Sequence, residues 1–199
     1  MTRIQPCDFL EAFKNEWNSR VEKNRHEVSD IYGDSNRWTN FMFGNEGFLA
    51  SIMTRLTENK TELEYKREYY TLDALYVGGE NLYRQNRTYP SELNVLIEHE
   101  QGDNVEEEMW KLIFWRSPLK VIIFYDWNEY EKTTNARREW LDRKLIKLVD
   151  MLNKANAYFP ENQETNYLFI IGNRVEKDQL PNWRWASNKQ IQPTSFVGG

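Results

Sequence analysis

Three carboxylates stand out by type and spacing: Asp73, and then Glu98 and Glu100 in the run LNVLIEHE from Leu93 to Glu100. The run alternates as a strand does. Leu93, Val95, Ile97 and His99 fall on one face, and Asn94, Leu96, Glu98 and Glu100 on the other. Two acids therefore leave one face of an otherwise apolar strand, roughly 6–7 Å apart along it. Asp73 lies between Leu72 and Ala74 in a segment rich in Tyr, Leu and Val, where aspartate is unfavourable. Hairpin pairing of the two segments would add it to the other acids. Such a grouping suits phosphodiester hydrolysis. A divalent ion held by two or three carboxylates neutralises charge on the attacking and leaving oxygens and lowers the pKa of bound water. Mg2+ (or Mn2+) fits, because it takes hard oxygen ligands and keeps several waters.

The elements that must position these acids follow from the flanking sequence. Asp103 or Asn104 can cap a helix of about three turns carrying Val105, Met109, Trp110, Ile113 and Phe114. Pro118 closes it, and LKVIIFYD, ending at Asp126, reads as a strand apolar on both faces. Strand, helix and buried strand make a βαβ crossover, expected to be right-handed with parallel strands. Upstream, Phe9, Phe13, Trp17 and Val21 predict a helix from Asp8 to about Asn24. His26 to Trp38 reads as polar and turn-rich. A second helix is expected from about Asn45 to Thr57, with Glu46 in its first turn. Glu62 to Val77 is strand-like, either one bent strand or two with a bend near Tyr70. Gly78 to Ser91 reads as a polar loop whose Arg84 and Arg87 could touch a phosphate backbone.

Downstream, Leu141, Leu145, Leu148 and Leu152 predict a long helix from Thr134 to Tyr158. Asn166 to Gly172 reads as another buried strand, and the tail from Arg174, with Trp183-Arg184-Trp185, ends loosely in Thr194 to Gly199. The expected fold is α/β (α+β), a central mixed sheet flanked by helices. One domain spans 1–199: N-terminal helices at 8–58, a core at about 62–172 and a C-terminal tail at 173–199.

Composition bounds the function. Twenty-six basic against 31 acidic residues give a net charge of −5, which argues against a passive, generally basic nucleic-acid coat. A local basic patch beside an acidic metal site stays compatible with a nuclease. The single Cys7 cannot form an internal disulfide. With no apolar run after a basic start and no segment of about 20 apolar residues, the expectation is a cytoplasmic protein outside the membrane. Two histidines, His26 and His99, exclude any site needing three.

Asp73, then Glu98-His99-Glu100, then a helix and a buried strand resembles the PD-(D/E)xK superfamily of restriction-endonuclease-like nucleases. The resemblance spans about Glu46 to Asp126 and implies an αβββαβ-type core and a Mg2+-dependent nuclease acting on DNA. It implies Asp73 and Glu98 as ligands, joined by the His99 carbonyl. Glu100 would be a ligand or water activator, and Glu46 a fourth acid. Leu72 stands where Pro is usual, and Glu100 stands where Lys is usual, which leaves open the group that handles the water proton; a lysine can reach such a site from the following helix. Lys111 on the following helix is the best placed, with Lys120 at the start of the next strand as a rival. Gln101, with Arg84, Arg87 and Lys120, could contact a phosphate oxygen. Two other readings are a catalytically degenerate binding or regulatory module, and an assembly protein, a homodimer or a complex, whose many Trp and Tyr residues form an interface.

Overall fold

Amphipathic patterning and local caps account for most of the elements. The computed structural model describes residues 3–57, 63–84, 87–100, 104–125, 133–160, 164–173 and 180–195, with the side chains at 80–84, 87–89, 134, 191–193 and 195 outside that description. The helices are α1 Pro6–Tyr32, α2 Ser35–Phe43, α3 Phe48–Thr57, α4 Val105–Phe114 and α5 Thr134–Tyr158. The strands are β1 Glu64–Tyr69, β2 Leu72–Arg84, β3 Arg87–Glu100, β4 Leu119–Tyr125, β5 Asn166–Asn173, β6 Asn182–Ser187 and β7 Gln190–Ser195. The hydrogen-bonded strand order is β1-β2-β3-β4-β5-β6-β7, so the protein is mixed α/β around a mixed sheet. The chain divides into two compact units, Met1–Leu96 with Ser117–Leu119, and Ile97–Arg116 with Lys120–Gly199.

In the first unit, Pro6 opens α1 and the Gln5 N–H donates to Asp8 Oδ2 at 3.0 Å. The expected end at Asn24 is a kink, with φ −158° and ψ 74°. Asn24 restarts the helix. Its Oδ1 accepts from the Glu27 N–H at 3.3 Å, and its Nδ2 donates to Glu27 Oε2 at 2.7 Å, a reciprocal cap. Asp34 caps α2 by accepting from the Asn36 and Arg37 N–H groups, both at 3.0 Å. The segment expected to be turn-rich is therefore largely helical. The turn into α3 is tight, since a Cβ on Gly47 would lie 2.6 Å from the Gly44 nitrogen. Tyr70 and Thr71 join β1 to β2, which pair antiparallel with Tyr69 opposite Leu72. Tyr76 ties β2 to α3, its hydroxyl donating to the Leu49 carbonyl at 2.6 Å, and Phe9 stacks on its ring. The segment expected to be a loop, 78–91, is mostly strand: β2 runs on to Arg84, and β3 begins at Arg87.

In the second unit, β4 is buried along its whole length and β5 is buried at six of its eight residues. Leu141, Leu145, Leu148 and Leu152 of α5 are buried as their spacing predicts. Ion pairs tie α5 to its neighbours: Glu106 of α4 accepts from Lys144 and Lys147, both at 2.9 Å, and Arg184 of β6 lies 3.2 Å from Asp142. The C-terminal tail expected at 173–199 holds two strands, β6 and β7. β6 pairs antiparallel with both β5 and β7. Tyr125 packs its ring against Gly172, where a Cβ would come within 2.5 Å of it.

Candidate functional site

The second unit concentrates the chemistry on the end of β3 and the first turns of α4. Glu98 is wholly buried, and its Oε1 lies 3.4 Å from Lys111 Nζ. The same ammonium contacts Glu108 Oε2. Carboxylate oxygens of Glu98 and Glu108 lie within 4.8 Å of each other. Helix geometry explains the convergence. Val105, Met109 and Leu112 form the buried stripe of α4, and Glu108 stands three residues after Val105 and four before Leu112, beside that stripe. Lys111 is one turn further on. The side chains of Glu108 and Lys111 are 12% and 21% exposed, so the group has a narrow opening to solvent.

The residues singled out in the sequence are divided between the two units. Lys111 stands at Glu98. Glu100, at the end of β3, is half-buried, and the acid brought to Glu98 from α4 is Glu108. Glu108 is absent from the sequence reading because the run Glu106–Glu108 also fits negative charge at a helix start. Its place three residues from Val105 was the available signal. Asp73 belongs to the first unit, half-buried on β2, where its charge helps to raise the Tyr65 hydroxyl. Burial is the largest cause of a pKa raised to about 12, and the Arg67 guanidinium opposes it.

Glu46 does not open a helix. It is exposed on the turn before α3, its carbonyl accepting from Arg20 Nη2 at 3.2 Å, beside a cavity of about 490 Å3 lined also by Arg37 and Phe41. Lys120 cannot reach nucleic acid. It is fully buried, its Nζ donates to the Tyr167 hydroxyl at 3.0 Å, and burial lowers its pKa to about 7. Gln101 and the side chains of Arg84 and Arg87 lie outside the described residues.

His99 points away from Glu98, as strand alternation requires. Its Nε2 is 3.0 Å from the Tyr125 hydroxyl, and burial pulls its pKa down to about 3. The expected apolar face of α4 is also corrected. Leu112 is buried, while Trp110 and Phe114 are exposed and line up with Phe159 at ring distances of 4.9 and 5.9 Å.

Two carboxylates offer hard oxygens, and two oxygens on one Mg2+ lie at most about 4.2 Å apart, a slight closing of the observed group. Neither the protein-family models nor the curated proteins contain a match to this sequence.

Proposed function

We propose that the protein is a Mg2+-dependent nuclease of the restriction-endonuclease-like kind that hydrolyses phosphodiester bonds in DNA. The observation that carries this reading is the buried Glu98 carboxylate with Glu108 and Lys111 at its side. A carboxylate held without solvent contact is costly unless its environment compensates it. Folding alone gives little reason to retain it there, and cation chemistry gives one. In this reading Glu98 and Glu108 are the ligands from β3 and α4, and the acid pattern of the sequence adds Asp73. Glu100 is then a neighbour that can accept a proton from water, and Lys111 a donor to a phosphate oxygen. A bound Mg2+ would supply charge neutralisation and an acidified water.

The direct test is cleavage of supercoiled plasmid and of single-stranded DNA in Mg2+ by the wild type, Glu98→Gln and Asp73→Ala. The reading expects cleavage by the wild type and a loss of 100-fold or more, on the order of a removed catalytic group, in each folded variant. Cleavage unchanged in Glu98→Gln sinks it. The second reading, a degenerate module that binds or assembles, draws on the exposed aromatic row Trp110, Phe114 and Phe159. It expects no cleavage and a partner-dependent loss of exposure at Trp110.

A further inference from the structure

We propose that the protein pairs with a second copy of itself through the outer face of α4, the two helices lying antiparallel across a two-fold axis. This names a partner for the exposed aromatic row. It is independent of the cleavage chemistry, because it uses the exposed stripe of α4 and not Glu98, Glu108 or Lys111.

Helical spacing builds the surface. Glu107, Trp110 and Phe114 follow one another at three and four residues and so share one face of α4. All three are exposed, Trp110 by 57% and Phe114 by 56%, while Val105, Met109 and Leu112 of the same helix are buried. Phe159 extends the row, its ring 5.9 Å from that of Phe114, which lies 4.9 Å from Trp110. From the usual size of these side chains, roughly 300 Å2 of aromatic surface stands in water. That is in the range of the largest patches on a monomer, which are often functional.

The charges at the ends of the row select the partner. The other acids of α4 are paired within the chain: Glu106 accepts from Lys144 and Lys147, and Glu108 contacts Lys111. Glu107 and Arg116 make no ion pair among the described residues. Both are exposed, Glu107 at the N-terminal end of the row and Arg116 two residues past the last residue of α4. The surface therefore runs acid, aromatic, aromatic, base, an order that complements itself when reversed. An axis between Trp110 and Phe114 sets Trp110 on the partner's Phe114 and Glu107 against the partner's Arg116, and the two-fold repeats each contact. A parallel pairing would instead set Glu107 against the partner's Glu107. The area is small, below the roughly 1,200 Å2 of standard complexes, so the dimer should be weak, with a dissociation constant on the order of tens of micromolar.

Sedimentation velocity of the full chain, at concentrations on both sides of that value, tests the pairing. The wild type should pass from monomer to dimer. Trp110→Ala should weaken the dimer about 100-fold, since a central aromatic is lost from both copies. Glu107→Lys should weaken it about tenfold, by turning two attractive pairs into repulsive ones, and adding Arg116→Glu to that variant should restore the wild-type constant. These side chains are exposed, so the variants should fold, and circular dichroism checks that they do. A wild type that stays monomeric overturns the proposal and leaves the row to a different protein. A dimer unchanged by Trp110→Ala overturns it as well, and so does a double variant no tighter than Glu107→Lys. DNA cleavage is a separate readout: a monomeric nuclease would refute the pairing alone, and a dimer without cleavage would refute the nuclease reading alone.

Discussion

Replacing Glu98 by Gln should make the metal-free protein more stable. Glu98 is wholly buried, while Lys111 and Glu108 retain 21% and 12% side-chain exposure. Two carboxylates stand beside the one Lys111 ammonium, and burial of an ion costs several kcal/mol. Glutamine keeps the shape, removes that charge and leaves Glu108 and Lys111 as a one-to-one pair. Part of the gain is offset by the lost attraction to Lys111. The remainder is about 1 kcal/mol in favour of the variant, or roughly 2–4 °C in melting temperature for a chain of this size. The assay is urea denaturation in chelator at pH 7, with equal slopes required so that only stability is compared. Destabilisation of about 3 kcal/mol or more, the signature of a broken structural ion pair, would refute the reasoning. Glu98 would then serve the fold alone.

Two further predictions concern buried groups outside the site. Lys120 holds its proton only up to about pH 7 when folded, against 10.5 for the free side chain. Between those values the unfolded chain binds more protons, so stability rises with pH, by on the order of a few kcal/mol. Lys120→Met should flatten this rise between pH 7 and 9.5 in urea titrations, and parallel profiles would contradict it. His99 stays neutral down to about pH 3 when folded, against 6.5 when free. Stability should therefore fall as pH drops from 6.5 towards 3. His99→Gln, which keeps a partner for the Tyr125 hydroxyl, should lower the midpoint of acid unfolding, and an unmoved midpoint would count against the buried neutral ring.

Periodicity made the buried parts legible. The four leucines of α5, the wholly apolar β4 and the strand–helix–strand from β3 to β4 are elements whose burial pattern is written in their spacing. Elements fixed by single side-chain hydrogen bonds were harder to see. Asp34 was visible as a turn residue, yet its carboxylate starts α2. Asn24 and Glu27 restart α1 through a pair that reads as two polar residues among many. The extension of β2 and β3 into 78–91 was hidden by Gly79, Pro90 and the polar residues between them, because pairing with a neighbour overrides local propensity. The β6–β7 hairpin was hidden in the same way.

At the site, strand alternation separated Glu98 from His99, and the family resemblance pointed to Lys111 on the following helix. Glu108 was obscured by Glu106 and Glu107, which suit the helix start equally well. Only the position of Glu108 relative to Val105 and Leu112 distinguishes it. Lys120 misled because a lysine usually seeks water. Here Tyr167 supplies a hydrogen bond inside the core.

The central claim is that Glu98 belongs to a divalent-cation site. Its most direct test is Mn2+ titration of the wild type and of Glu98→Gln by calorimetry, with folding of both checked by circular dichroism. The account predicts one binding event per wild-type chain and its loss in the variant. No binding by the wild type up to roughly 10 mM, beyond the weakest biological Ca2+ modules, or equal binding by both proteins, would contradict it.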